Sequence, residues 1–209
     1  MKDTYFIEEY KTEVPGELDK WRVAFPPKIV ELFVEEYSGK GDVVFDPFAG
    51  FGTTVSVAKK MGRESFGCEI DQAKICFAKE KLDVELIGKS VFDLDHSEYP
   101  KIDLCLFSPP YWGPALGAKT YHGYLNKLEK LSKKIETRMN EGAHLIVFVQ
   151  NYKFDRKGLL TLAWDLGNVL KNHFYFEQDF IWCVDRTKSK RDMKHEAADH
   201  HYCLVFRKK

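Results

Sequence analysis

The sequence has no surplus of either charge: 32 Lys and Arg stand against 32 Asp and Glu, for a formal net charge of zero. No field of the whole molecule draws it to nucleic acid, so such contact must come from a local patch. It has no uninterrupted apolar run longer than a few residues; stretches such as Leu145–Val149 are far too short to span a bilayer. Its N-terminus mixes acids with aromatics and has no apolar signal segment. The five cysteines (68, 76, 105, 183 and 203) include no Cys-x-x-Cys pair, which argues for buried free thiols in a reducing compartment. His195-Glu196 is followed by its next His at 200 rather than 199, so the His-Glu-x-x-His zinc signature is not met and no metal is expected. These absences predict a chain without membrane contact, in the cytoplasm, folded as one domain over 1–209.

What is present centres on Val43-Val44-Phe45-Asp46-Pro47-Phe48-Ala49-Gly50-Phe51-Gly52-Thr53-Thr54. Apolar β-formers run into an acid, a Gly-x-Gly turn follows, and a helix opens on two threonines. Glycine lets a backbone turn sharply and approach a ligand closely. The helix start presents N–H groups without intrahelical partners. Position 55 is Val, so the Gly-x-Gly-x-x-Gly dinucleotide fingerprint is incomplete and a nicotinamide cofactor is disfavoured.

A second acid lies about twenty residues beyond this turn, where a β-strand acid accepts ribose hydroxyls in nucleotide-binding sheets. It is Glu69, at the end of the expected strand Glu64–Ile70. Asp71 next to it suits a helix cap as well as a ligand contact. A short third strand is expected at Val84–Ile87, leading to Ser90-Val91-Phe92-Asp93. Asp93 could accept the amino group of an adenine, with Asp95 and His96 as substitutes.

The apolar strand Ile102–Phe107 ends in Ser108-Pro109-Pro110-Tyr111-Trp112. Two adjacent prolines hold the chain extended and supply carbonyls with no ladder to join. Such a rigid set of acceptors suits an amino-group donor. The amine of cytosine or adenine is a poor nucleophile because its lone pair is delocalised into the ring. Ser108 Oγ and the Pro109 carbonyl could accept its two N–H bonds and draw the nitrogen toward tetrahedral geometry. Tyr111 could stack on the base, worth about 1–3 kcal/mol, after the base is flipped out of a duplex.

Asp-Pro-Phe-Ala-Gly-x-Gly-Thr-Thr together with Ser-Pro-Pro-Tyr resembles the N4-cytosine/N6-adenine DNA methyltransferases, over most of the chain from Trp21 onward. The resemblance implies S-adenosylmethionine as cofactor. It implies cofactor contacts from Phe25, Asp46, Pro47, Phe48, Gly50, Gly52, Thr53, Thr54, Glu69, Ile70 and Asp93, and a catalytic tetrapeptide Ser108, Pro109, Pro110 and Tyr111. Phe25 suits a buried aromatic equally well. Ser at the first tetrapeptide position looks like the cytosine branch. No Pro-Cys nucleophile is present, and Cys105, inside a strand, reads as core.

The remaining elements read in order as an arm at 1–20 (balance −3), a helix begun by Pro26-Pro27 and ending at Tyr37, a mobile loop Gly113–Gly123, a helix Leu125–Met139 with a Lys-rich outer face, a strand His144–Gln150, a helix Leu159–Asn172, and strands Phe174–Val184 and Tyr202–Arg207. Gln150 and Asn151 fall at the same sheet edge as the tetrapeptide. Trp112 and Tyr121 are candidate substrate contacts. So are Arg186, Lys188, Lys190 and Arg191, in a segment 185–209 whose balance is +4. The fold expected is a single α/β domain with a doubly wound, mainly parallel, seven-stranded sheet and an antiparallel terminal strand. The sheet and its helices use up these residues, which leaves no separate target-recognition domain. Either a partner subunit supplies specificity for DNA, or structured RNA is read by its shape.

Overall fold

The computed structural model describes residues 4–9, 11–12, 14–17, 24–95, 97, 99–112, 116–153, 158–185 and 200–209. The elements are β1 (Tyr5–Glu9), α1 (Pro27–Tyr37), β2 (Val43–Asp46), α2 (Thr53–Lys60), β3 (Glu64–Gly67), α3 (Gln72–Leu82), a 3-10 turn (Val91–Asp93), β4 (Ile102–Phe107), α4 (Tyr121–Glu136), β5 (Met139–Val149), β6 (Tyr152–Lys153), β7 (Leu159–Leu160), α5 (Leu162–Leu170), β8 (Phe174–Asp185) and β9 (His200–Lys208). Seven strands form one sheet in the order β1-β8-β9-β5-β4-β2-β3, and β6 and β7 form a separate hairpin. The pairs β2–β3, β2–β4 and β4–β5 are parallel, and β9 runs antiparallel to both β5 and β8. This is the expected doubly wound sheet.

Strand alternation divides the core into two layers. Val44, Leu104, Leu106, Ile146 and Phe148 face α1 and α2. Phe45, Cys105, Phe107, Leu145 and Val147 face α4 and α5. A strand buried on both faces has to be apolar throughout, and β2 is buried at all four positions, its terminal Asp46 included. Pro27 opens α1 at its first turn, where a missing N–H costs nothing.

Four expectations need correction. The expected third strand Val84–Ile87 is reduced to one bridge, Ile87 with Cys68; Asp83 takes a left-handed conformation (φ 54°) and Val84 packs inward against Ala49, Val55 and Ala78. The seventh strand is instead β1, which pairs in parallel with β8 from the segment read as an arm. α4 starts at Tyr121, within the expected loop, because Thr120 Oγ1 caps it by accepting from the Gly123 N–H at 3.0 Å. α5 starts at Leu162, since Leu159 and Leu160 pair with Lys153 and Tyr152. Among the cysteines, 68, 105 and 203 are buried free thiols as expected, but Cys76 is exposed on α3 and Cys183 is half-buried. No described helix is long and apolar enough to cross a membrane.

Candidate active site

β2 is the point where the sheet order divides: β3 lies on one side of it and β4 on the other. The loops leaving the carboxyl ends of β2 and β4 therefore diverge and leave a crevice, the usual ligand site of an open α/β sheet. A cleft of about 650 Å³ occupies this position. Gly50 and Pro109 both line it. So do Phe25, Asp46, Pro47, Phe48, Thr53, Thr54, Glu69, Ile70 and Asp93, together with Ser108, Pro110 and Tyr111.

On the β2 side, the Gly50 backbone is left-handed (φ 55°), and its Cβ position has no neighbour closer than 3.9 Å. Gly52 is left-handed too (φ 84°) and caps α2, but it does not line the cleft: a Cβ there would meet Ala78 at 3.0 Å and Val84 at 3.2 Å. Its glycine serves packing. Gly67 has a similar constraint that sequence reasoning missed, since a Cβ on it would lie 2.8 Å from Ala49 and 2.9 Å from Val55.

Asp46 is 5% exposed. Its carboxylate accepts from the Phe48 N–H at 2.9 Å. Burial lifts its pKa to about 7, a rise opposed by hydrogen bonds from Thr54 and Phe48 and reinforced by the negative charge of Glu69. Glu69 Oε1 accepts from the Ile70 and Asp71 N–H groups at 2.7 and 2.9 Å, which fixes the carboxylate at the rim. Asp71 caps α3, accepting from the Ala73 N–H, and also lines the cleft. Asp93 sits exposed on the 3-10 turn at the same rim. Ile70 is 63% exposed there.

On the β4 side, the Pro110 carbonyl accepts from the hydroxyl of the fully buried Tyr124 at 2.8 Å. Ser108 Oγ and the Pro109 carbonyl have no hydrogen-bond partner among the described residues. Tyr111 is 43% exposed, packs its ring edge-on against Tyr152 at 4.8 Å and donates its hydroxyl to Gln150 Oε1 at 2.9 Å. Burial raises the Tyr111 pKa, so the hydroxyl stays protonated and donates.

Trp112 and Tyr121 lie behind this wall rather than on the cleft. The Trp112 N–H donates to the Tyr152 hydroxyl at 3.1 Å, and the Tyr121 hydroxyl donates to Asp165 at 2.8 Å. Arg186, Lys188, Lys190 and Arg191 lie outside the described residues. Cleft residues that sequence reasoning missed include Lys74, Lys89, Lys127 and His201. The lysines come from helices and loops with no motif of their own. His201 stands beside the expected terminal strand Tyr202–Arg207 and likewise has no motif of its own.

The cleft suits S-adenosylmethionine on its own chemistry. A buried carboxylate with no salt bridge to any described cation lies at its base, and a cationic ligand complements it. Glu69 and Asp93 offer acceptors along one rim, and exposed Ile70 and half-buried Phe92 offer an apolar seat beside them. Among the described residues no group of three or more His, Cys, Asp or Glu is placed to hold a metal ion.

Comparison with known proteins agrees. Residues 2–80 match the N6/N4 DNA methylase family model. The Type II methyltransferase M.MwoI of Methanothermobacter wolfeii is 30% identical over 190 residues, which is 81% of this chain and 28% of that protein. The chain thus spans less than a third of the length of the curated relative. Among solved structures, TrmN from Thermus thermophilus superposes with a TM-score of 0.62 at 15% identity, covering 88% of this chain and 49% of that one. SMU.1697c from Streptococcus mutans, solved in complex with SAH, gives 0.57 at 16% identity, covering 90% and 99%. The chain has the fold of the class I methyltransferases, and its sequence is similar to the N6/N4 DNA methylases.

Proposed function

We propose that the protein methylates the exocyclic amino group of a base in DNA, and that the base is cytosine, modified at N4. The observation that carries this reading is the pair of acceptors Ser108 Oγ and Pro109 C=O, which share one cleft with the Gly50 loop. Of the two proline carbonyls, that of Pro110 is directed at the Tyr124 hydroxyl. This leaves the Pro109 carbonyl beside Ser108 to take the two hydrogens of one amine.

When bound, S-adenosylmethionine supplies an electrophilic methyl group on a sulfonium. The protein's part is to hold the amine. Two accepted hydrogen bonds return lone-pair density to the nitrogen and fix its direction. Such positioning is worth up to about 7–11 kcal/mol of a barrier. The proton lost by the amine leaves to water at the open mouth of the cleft. Tyr111, its ring partly exposed and its hydroxyl anchored, receives the face of the base. A duplex base reaches this depth only when flipped out. The choice of cytosine rests on Ser108 being a neutral acceptor, where a carboxylate would favour adenine by resemblance. The choice of DNA rests on the family model matched, that of a DNA methylase, beside relatives that include the Type II methyltransferase M.MwoI.

Replacement of Ser108 tests the reading. Ser108→Ala should lower methyl transfer to unmethylated plasmid DNA by about a hundredfold, the usual loss for one preorganised polar contact at a reacting group. It should leave the affinity for S-adenosylhomocysteine within about twofold, because Ser108 faces the acceptor. Transfer at the wild-type rate would remove Ser108 from the reaction.

A further inference from the structure

Behind Tyr111 a hydrogen-bonded chain runs from the base side of the cleft to the first residues of β9. The Tyr111 hydroxyl donates to Gln150 Oε1 at 2.9 Å. Gln150 Nε2 donates to the His200 carbonyl at 3.1 Å and lies 3.1 Å from His201 Nε2. A backbone carbonyl can only accept, so the amide nitrogen must face β9 and the amide oxygen must face Tyr111. The nitrogen's second hydrogen then points at His201, whose Nε2 has to be the acceptor. That fixes one tautomer, with the imidazole proton on Nδ1.

The plane of the His201 ring is fixed by its neighbours. It stacks on the buried Trp182 (centroids 4.3 Å apart, planes 16° apart) and meets the edge of Phe25 at 5.6 Å. Gln150 is 5% exposed, so its bonds are made away from competing water. Burial also holds the His201 pKa down to about 3, which keeps the ring neutral at ordinary pH. A protonated ring would set two donors against each other.

We propose that His201 is a positioning residue: acting through Gln150, it orients the Tyr111 hydroxyl and so the ring that receives the target base. This rests on the functional reading above. His201 is joined to Tyr111 through the side chain of Gln150. Phe25 and His201 both line the cleft, so the same ring joins the cofactor wall to the base wall.

Two measurements test this. The first needs no substrate. Imidazole ¹⁵N spectra of the full chain with S-adenosylhomocysteine, near pH 7, should show His201 protonated on Nδ1 and unprotonated on Nε2; the opposite tautomer would overturn the relay. The second is a double-mutant cycle on methyl transfer to unmethylated plasmid DNA. Tyr111→Phe and His201→Phe each remove one link and keep a ring, and each should lower kcat/KM by about tenfold, as for one lost hydrogen bond. Combined, they should be no worse than about twofold beyond either alone, because one path is already cut. His201→Gln, which offers an acceptor oxygen, should recover most of the loss. A combined loss of about a hundredfold would show that the two residues act independently and would refute the proposal. If His201→Phe fails to bind S-adenosylhomocysteine, Gln150→Met takes its place in the cycle with the same expected outcomes. If the wild-type protein transfers no methyl to DNA, the functional reading fails, and the tautomer still decides the relay.

Discussion

Asp46 has surroundings that suit its charge poorly and would suit the cationic ligand proposed for the cleft. The folded state lifts its pKa from 3.8 to about 7, so it holds the proton more tightly than the unfolded chain does. Stability conferred on the protonated form is complete below the unfolded value and is lost as pH rises toward about 7. Above that pH the ionised carboxylate costs the ligand-free fold at most about 4 kcal/mol. Asp46→Asn should therefore raise the melting temperature of the ligand-free protein at pH 8 and give little change at pH 4, read by calorimetry. The same change should abolish detectable cofactor binding, a trade of stability for function that active sites commonly make. In the wild type, cofactor affinity should fall about tenfold per pH unit as pH drops below the Asp46 pKa, because the cation of the ligand pairs with the ionised form. Affinity that stays flat from pH 8 to pH 5.5 would show that Asp46 does not meet that charge. Residues like Asp46, Glu69 and Ser108 were legible in the sequence because each lies at the end of a strand or within two residues beyond it. His201 was not. It lies inside a strand whose partners, Trp182 and Gln150, are 19 and 51 positions away in the chain, so nothing local marked it as part of the site.

The element that holds the acceptor wall is α4. The sequence predicts its start at Leu125, since Gly113–Gly123 has the composition of a loop. The Thr120 cap and the burial of Tyr124 extend it by one turn. That turn supplies the hydroxyl that holds the Pro110 carbonyl. Tyr124→Phe should cost about 1 kcal/mol of stability. It should also reduce methyl transfer more than cofactor affinity, since the lost bond fixes the tetrapeptide and not the Gly50 loop. Equal losses in both would show that Tyr124 is structural only. Behind the Gly50 loop, Gly67→Ala places a methyl group against Ala49 and Val55 at less than contact distance. It should destabilise by about 1–3 kcal/mol and weaken S-adenosylhomocysteine binding, both measurable by calorimetry. β1 shows the limit of element-scale reading. Its burial alternates over only five residues set among acids, and its parallel pairing with β8 brings together residues some 176 positions apart. The segment 84–87 shows the opposite error: its apolar residues serve a packing contact and a single bridge, because the turn at Asp83 points Val84 inward.

At the scale of the whole molecule, strand order does the positioning. β4 and β2 are neighbours, so two loops separated by some 60 residues of sequence open into one cleft. The order of the two motifs and their place side by side at strand ends are expected from the resemblance, and the pairing of β2 with β4 bears this out, although pairing between parallel strands leaves no local mark in the sequence. With a formal net charge of zero, the proposed affinity for nucleic acid has to arise from a few local cations. Binding to unmethylated plasmid DNA should then weaken with salt along a shallow slope, about 0.9 in log units per phosphate contacted. The account's central claim is that this cleft presents an exocyclic base amine to the cofactor through Ser108 and Pro109. The most direct test is to incubate the protein with methyl-labelled S-adenosylmethionine and unmethylated plasmid DNA, with ribosomal RNA in parallel, then digest each to nucleosides and identify the labelled species by mass spectrometry. The account predicts N4-methylcytosine from the DNA, lost in Ser108→Ala; label confined to N6-methyladenine, to the RNA, or to no base at all would contradict it.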